Sequence, residues 1–207
     1  MARDAFVEHV FDLAAAQTEL ADFRKLLDSN THLKEREQVL ASFAKWPNLC
    51  ALFGKFHGQI TIADRIKREF RIEGYFRTDL TVKLAGRDHI CLVEFEGASP
   101  NCIFKPGDRT IDDWAPNFEK GFSQIVDWAW AIDEYRHTPV MRDGFGSERP
   151  DFISVLVIGR DSALESNAAR ARWKWRSRHV AVHGGAVTLL TYDDLYFQFD
   201  TEIQSRL

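Results

Sequence analysis

The spacing of hydrophobic residues changes once along the chain, near residue 58. Before that point apolar residues recur every three or four positions, which predicts helix over about the first 57 residues, with a break at Pro47. After it come three runs typical of strands, roughly Ile66 to Ile72, Phe76 to Leu84 and His89 to Glu96. Short turn sequences separate these runs, so an antiparallel meander is predicted.

The rest of the chain predicts helices alternating with two strands. One amphipathic helix should place six residues on a single face: Phe118, Phe122, Ile125, Val126, Ala129 and Ile132. An apolar strand follows near Asp151, then an Ala- and Arg-rich helix over about 162–177, and a final strand leads into a helix that begins near Asp193 or Asp194.

This order predicts the fold class and the domain organisation. We expect one α/β (α+β mixed) domain over residues 1–207, with a mixed central β-sheet flanked by helices. Residues 1–57 would form a helical N-terminal part, and residues 58–207 an αβββαβ core.

Composition excludes several classes of protein. The chain has 207 residues, 45% of them hydrophobic, and a net charge of −4, so it is not coated with positive charge. No apolar run is long enough to span a membrane and no cleavable signal is visible, so we expect a cytoplasmic protein without a membrane partner. Cys50, Cys91 and Cys102 lie in or beside apolar segments and should be reduced thiols.

The run "CLVEFEGA" places two acids in a strand that otherwise looks buried. Alternation puts Glu94 and Glu96 on one face, about 7 Å apart, with Asp79 of the preceding strand at the same level. Three converging carboxylates favour a hard divalent cation, and Mg²⁺ prefers oxygen ligands. The alternative is a solvent-exposed polar face on which a pair of glutamates has no function.

A second candidate is the basic segment between Ser166 and Tyr192, which contains no acid. It predicts a surface that binds anions, made of five cations with two tryptophans between them: Arg170, Arg172, Trp173, Lys174, Trp175, Arg176 and Arg178. The alternative is a solvated helix face with both tryptophans docked in the core. The histidines, His57, His89, His137, His179 and His183, show no spacing that indicates a ligand set.

Three segments together resemble a known family: "DLTVKLAGRDHICLVEFEGASPNCIFK", "NFEKGFSQIVDWAWAIDE" and "TYDDL". In this order they are similar to the nuclease domain of Shedu anti-phage defence proteins, a restriction-endonuclease-like domain of the PD-(D/E)xK superfamily. The resemblance covers roughly Thr31 to Phe199. It implies a restriction-endonuclease-like core and oligomerisation. The sequence departs from the family in length, since Shedu proteins usually carry a separate regulatory domain before the nuclease and here only about thirty residues precede the matched region.

The resemblance also implies roles for single residues. Asp79 matches the first metal-binding acid and Glu94 the second, while Lys120 and Gln124 match polar helix positions that point toward the metal and the scissile phosphate. The lysine expected two residues after Glu94 is Glu96 here. This glutamate would then act as a further metal ligand or general base, and Lys120 or Lys83 would supply the missing cation.

Two hypotheses follow from these residues together with the resemblance. The first is an endonuclease that hydrolyses DNA phosphodiester bonds with Mg²⁺ (or Mn²⁺) bound by Asp79, Glu94 and Glu96, and that acts in prokaryotic anti-phage defence as a homo-oligomer. The basic segment would hold the strand, with Trp173 or Trp175 stacking on an unpaired base. The second is a non-catalytic module that keeps the fold and binds nucleic acid or a partner protein.

Overall fold

The structure is a computed structural model that describes residues 6–108 and 110–207. Its α-helices are α1 (Leu13–Ser29), α2 (Ala41–Phe43), α3 (Pro47–Leu52), α4 (Pro116–Tyr135), α5 (Pro139–Phe145), α6 (Asn167–His179) and α7 (Tyr192–Gln204). A π-helix over Glu35–Leu40 leads into α2, and 3₁₀-helices cover Phe53–Phe56 and Asp161–Leu164. Helices occupy most of residues 13–56, and the part of the N-terminal prediction that falls on residues 1–5 lies outside the described residues.

Within the described residues, the strands form one large sheet and three small two-stranded pairs. They are β1 (Val7–Glu8), β2 (Arg65–Arg68), β3 (Arg71–Ile72), β4 (Phe76–Arg77), β5 (Leu80–Lys83), β6 (His89–Phe95), β7 (Phe104–Lys105), β8 (Asp113–Trp114), β9 (Asp151–Val157), β10 (Ala181–Val182), β11 (Gly185–Ala186) and β12 (Thr188–Leu190). The large sheet has six strands in the order β1-β2-β5-β6-β9-β12.

The large sheet is mixed, as predicted. Strands β1, β2, β5 and β6 pair antiparallel, whereas β6, β9 and β12 run parallel. Each parallel connection contains helix, which is the usual way to join parallel strands. Strand β9 lies between β6 and β12 with helices over both faces, which accounts for its apolar sequence.

Helices cover both faces of the sheet, so each face has its own hydrophobic core. Alternate residues of β6 divide between the cores: Val93 and Phe95 pack with α1, α3 and α7, while Leu92 packs with α4 and α6. One predicted core residue of α4 is misplaced, because Val126 is 43% exposed. Val126 lies at the edge of the apolar stripe of α4, next to the face of the helix that contacts solvent.

Two local predictions are wrong. The N-terminal segment contains β1, which extends the sheet by pairing Val7 with Ile66. The first two predicted strand runs each divide in two, because β3 and β4 leave the main sheet and form a separate hairpin. Only β2 and β5 continue the ladder to β6.

Two further expectations concern cysteines and the membrane. Cys50, Cys91 and Cys102 are all buried free thiols, as predicted. Among the described residues, no helix combines the length and the apolar character needed to cross a bilayer.

Candidate active site

Glu94 and Glu96 lie at the C-terminal end of β6 and face α4. Their side chains share the face of Leu92, as the strand period predicted, and they are 5% and 1% exposed. The backbone of Glu96 is fixed on both sides: its amide donates to the Val157 carbonyl at 2.9 Å, and its carbonyl accepts from the Tyr192 hydroxyl at 2.5 Å. These are therefore buried carboxylates in a rigid place, and the interpretation as an exposed polar face is wrong.

Asp79 immediately precedes β5, on the strand next to Glu94. Leu80 pairs with Val93, so the antiparallel register places Asp79 opposite Glu94. The Asp79 side chain accepts a hydrogen bond from the Phe95 amide at 2.8 Å. If β5 began earlier in the chain, a backbone carbonyl would accept this hydrogen bond instead. This hydrogen bond fixes the position of one carboxylate oxygen of Asp79. The side chains of Asp79, Glu94 and Glu96 therefore lie close together at this end of the strands.

Helix α4 supplies two polar partners for these acids. Lys120 Nζ lies 2.8 Å from Glu96 Oε1, and the Gln124 amide donates to Glu94 Oε1. Four residues of helix rise by about 6 Å, which matches the roughly 7 Å between alternate residues of a strand. Lys120 and Gln124, four residues apart on α4, can therefore contact Glu96 and Glu94, which are two residues apart on the neighbouring strand.

A fourth carboxylate, Glu35, was missed from the sequence. It begins the π-helix, and its Oε2 lies 3.8 Å from Lys120 Nζ. The segment is held by a two-way backbone pairing between Leu33 and Ala98, and a Cβ on Gly97 would lie 2.8 Å from the Leu33 carbonyl oxygen. A glycine directly after "VEFE" was the available signal, because it permits another backbone to approach closely.

We call Glu35, Asp79, Glu94 and Glu96 the acidic centre. Burial, and after it the charge of Asp79, raise the pKa of Glu94 to about 10. Burial also raises the pKa of Asp79 to about 6, although the hydrogen bond from the Phe95 amide lowers it. In the same way, burial raises the pKa of Glu96 although the hydrogen bond from Lys120 lowers it. Near neutral pH the centre therefore retains a proton on Glu94, which a divalent cation would replace.

Lys120 is the cation that contacts the acidic centre. Partial burial alone would lower the pKa of Lys120, but the hydrogen bond and charge of Glu96 outweigh it, and the pKa is raised. Lys83, the other cation considered for this role, donates instead to the carbonyls of Gly144 and Phe145 at 3.2 and 2.9 Å. That alternative is wrong, because Lys83 is engaged elsewhere.

The basic segment forms α6 and divides between the interior and the solvent. Trp173 is 6% exposed and contacts Phe118, so its ring is not available to stack on a base. Arg176 lies over Phe122 and bonds to Glu119 at 2.7 and 3.1 Å, and Arg172 lies over the ring of Trp114. These three residues of the predicted binding surface are packing residues.

The other four residues of the basic segment lie on the solvent side. They are Arg170, Lys174, Trp175 and Arg178, and Trp175 is 60% exposed. Because Arg170, Lys174 and Arg178 are four residues apart, they lie along one stripe of the helix, which we call the α6 stripe.

The structure corrects the expectation that the histidines have no mutual arrangement. His57 Nε2 and His89 Nδ1 lie 3.6 and 3.3 Å from Asp151 Oδ2, and the three ligand atoms lie within 4.8 Å of one another. Such a group can hold a metal ion. His57, however, already uses both ring nitrogens, since Nε2 lies 3.0 Å from the Asp151 carbonyl oxygen and Nδ1 accepts from Gln59.

This histidine group is remote from the acidic centre. His89 begins β6 and Glu94 lies near its end, so five residues of extended strand, about 17 Å, separate them. The sequence could not show the group, because His89 and Asp151 meet only through the parallel pairing of β6 with β9, and His57 comes from the segment after the 3₁₀-helix Phe53–Phe56.

The family model described as "Shedu protein SduA, C-terminal" matches residues 16–196. A search of curated proteins found no match to the chain. The matched region contains the whole acidic centre, Lys120, Gln124 and α6.

Proposed function

The chain belongs to the Shedu SduA C-terminal family, and on this basis we propose that it is a metal-dependent endonuclease that hydrolyses DNA phosphodiester bonds. Membership suggests a role in prokaryotic anti-phage defence. The observation that supports the chemistry is the acidic centre, where four carboxylates meet one lysine.

The donor set fits Mg²⁺ or Mn²⁺. Four carboxylates and one ammonium carry a net charge of −3 when all are ionised, and the burial of Glu94 and Glu96 removes the water that would screen them. Protons or a cation must balance this charge, and carboxylate oxygens are the ligands that these ions prefer. Asp79, Glu94 and Glu96 would hold the ion, with Glu35 beside them.

Each residue then has a role that follows from its contacts. The bound ion would polarise a phosphate and lower the pKa of a water molecule. Lys120 would place positive charge beside the phosphate, a role that Glu96 cannot fill, and it is 56% exposed although it contacts the centre. Gln124 orients Glu94 through its amide, and the Phe95 amide orients Asp79.

The α6 stripe is the proposed anchor for the DNA backbone. Helix α6 joins α4 through Arg176 and Glu119, and Glu119 precedes Lys120. The stripe therefore belongs to the helix packed against the start of α4, with Trp175 beside it to stack on an unpaired base. Replacing all three cations by Gln should weaken DNA binding and flatten its salt dependence, because each lost phosphate contact reduces the slope by about one.

Association of several copies is also proposed. Trp130 and Val126 are 53% and 43% exposed on the outer face of α4, and exposed aromatic residues are enriched at protein interfaces. Sedimentation velocity of the wild type and of Trp130→Ser tests this: a homo-oligomer that shifts toward monomer in the variant supports the proposal, and a wild-type monomer contradicts it.

Cleavage of labelled linear, nicked and single-stranded DNA with Mg²⁺ or Mn²⁺ tests the proposed reaction. We expect the wild type to cut and Asp79→Asn to be inactive at unchanged thermal stability. Glu37→Gln is the matched control, since Glu37 is an exposed acid of the same π-helix as Glu35. A wild type that cuts equally well in EDTA would refute the metal dependence.

One observation favours a second candidate, a non-catalytic module that binds nucleic acid or a partner protein. Glu96 stands where the resembling nucleases have a lysine, and this glutamate pairs with the only lysine that contacts the described acidic centre. If wild type is inert with either metal but Glu96→Lys cuts, the site is a nuclease centre that has lost its chemistry.

A further inference from the structure

The histidine group, His57, His89 and Asp151, lies at the end of the parallel strands away from the acidic centre. His89 begins β6, Asp151 begins β9, and His57 follows the 3₁₀-helix Phe53–Phe56. The three residues therefore come from separate parts of the chain and meet only in the folded protein. The proposed endonuclease reaction does not use them, because about 17 Å of strand separates them from Glu94.

One ring nitrogen of this group has no hydrogen-bond partner. The Nδ1 atom of His89 is buried and makes no hydrogen bond to any described residue, although it lies 3.3 Å from Asp151 Oδ2. A second carboxylate oxygen, Asp88 Oδ1, lies 3.7 Å from the same nitrogen. A buried polar atom without a partner is unfavourable and marks a place where an ion or a proton is expected. The nitrogen and its two carboxylate neighbours therefore favour a bound cation.

The distances between the ligand atoms fit one tetrahedral ion. Zn²⁺ binds imidazole nitrogen and carboxylate oxygen at about 2.0–2.2 Å, so two ligand atoms of a tetrahedral site lie about 3.3–3.6 Å apart. Asp151 Oδ2 lies 3.3 Å from His89 Nδ1 and 3.6 Å from His57 Nε2. All three ligand atoms lie within 4.8 Å of one another, so rotation of the half-buried His89 ring and the exposed Asp151 side chain would complete the site.

His57 can enter this site by changing its tautomer. Its Nε2 atom lies 3.0 Å from the Asp151 carbonyl oxygen, and its Nδ1 atom accepts from the Gln59 amide at 3.3 Å. A metal ion at Nε2 would move the ring proton to Nδ1 and break both hydrogen bonds. Gln59 and Asp151 are exposed residues, so water can replace the partners that they lose.

We propose that His57 Nε2, His89 Nδ1 and Asp151 Oδ2 bind one Zn²⁺ ion, with water at the fourth position. Imidazole nitrogens suit zinc, whereas Mg²⁺ and Mn²⁺ prefer oxygen ligands such as those of the acidic centre. The ion would join the segment after the N-terminal helices to the first residues of β6 and β9. This inference does not depend on the proposed function, because it concerns a separate site at the other end of the strands.

Zinc binding by wild type, His89→Gln and Asp151→Asn tests the inference. Each substitution removes one ligand that is not deeply buried and keeps a side chain of similar size, and circular dichroism verifies folding. Zinc affinity is measured by competition with a chromophoric chelator, with excess Mg²⁺ present to occupy the acidic centre. His137→Gln is the matched control, since His137 is an exposed histidine that lies 3.4 Å from a single carboxylate oxygen of Glu148.

We expect wild type and His137→Gln to bind one Zn²⁺ ion per chain. His89→Gln and Asp151→Asn should bind it at least about 100-fold more weakly, since loss of a residue that only orients a ligand already costs about 10- to 100-fold. Zn²⁺ should also raise the melting temperature of wild type but not of these two variants, because only folding brings its ligands together. Co²⁺ in place of zinc should give the visible absorption of a tetrahedral site.

Three results would overturn the proposal: a wild type that binds no Zn²⁺, full affinity in either ligand variant, or an equal loss in the His137→Gln control. The first result would mean that a proton on His89 balances the carboxylates instead. Glu94→Gln separates this proposal from the nuclease proposal, because it should keep zinc binding by the histidine group. If wild type cuts DNA but binds no Zn²⁺, the zinc inference is wrong and the nuclease proposal stands. If wild type cuts nothing while both wild type and Glu94→Gln bind Zn²⁺ through the histidine group, the reverse holds.

Discussion

Replacing Glu94 with Gln should stabilise the metal-free protein at high pH. The side chain is 5% exposed and lies near Asp79, and these two features raise its pKa to about 10. The unfolded chain ionises near the model value of 4.5. Because the folded pKa is the higher one, the stability that depends on this proton is fully present below pH 4.5 and is lost as the pH rises toward 10.

The magnitude follows from the same two values. A pH of about 8 is some 3.5 units above the pKa of Glu94 in the unfolded chain, and each unit corresponds to about 1.4 kcal/mol. The free energy of unfolding of the wild type is therefore lower there by at most about 5 kcal/mol. Near pH 5 the loss is below about 1 kcal/mol by the same relation. Glu94→Gln cannot ionise, so its advantage over wild type should grow between these pH values by up to about 4 kcal/mol.

Urea unfolding in EDTA at about pH 5 and pH 8, followed by tryptophan fluorescence, measures this difference. Glu37→Gln is the control and should show no pH-dependent gain. Added Mg²⁺ should stabilise wild type and leave Glu94→Gln nearly unchanged, since the variant lacks one ligand charge. A gain of the same size at both pH values would show that Glu94 carries no raised pKa and would refute the electrostatic argument.

Three further substitutions test other contacts of the site. Lys120→Gln should cost about 1–3 kcal/mol in the metal-free protein, because it leaves the buried Glu96 carboxylate without its cation, and should lower the rate of cleavage about 100-fold as the phosphate loses positive charge; an unchanged rate in a single-turnover assay would exclude that role. Gly121→Ala should cost about 1–3 kcal/mol in urea unfolding, because its Cβ would lie 2.8 Å from a leucine methyl group of β9 and 3.0 Å from Cγ of Glu96. Gly58→Ala, with nothing within 4 Å, should cost less than Gly121→Ala, and equal costs would contradict the packing argument. Tyr192→Phe should cost about 1–2 kcal/mol in the same assay, since it removes the hydroxyl bonded to the backbone of Glu96, and a neutral effect would show that this bond does not stabilise the strand end.

Local periodicity was enough to predict the part of the site that depends on neighbouring residues. The two-residue period of β6 placed Glu94 and Glu96 together, and the turn before His89 aligned Asp79 with them. The spacing of Lys120 and Gln124 placed both on one face of α4. These predictions are reliable because a strand or helix fixes the directions of its own side chains wherever it packs.

Longer-range packing determined the rest. The sequence of α6 contains alternating cations and tryptophans, and only contact with α4 decides that Trp173 is buried and Arg176 half-buried while Trp175 is exposed. Glu35 reaches the acidic centre because Leu33 pairs with Ala98, 65 residues later. Gly97 permits another backbone to approach closely but does not identify which segment approaches, because that depends on how separate elements pack. Only the tertiary structure could therefore assemble the complete centre.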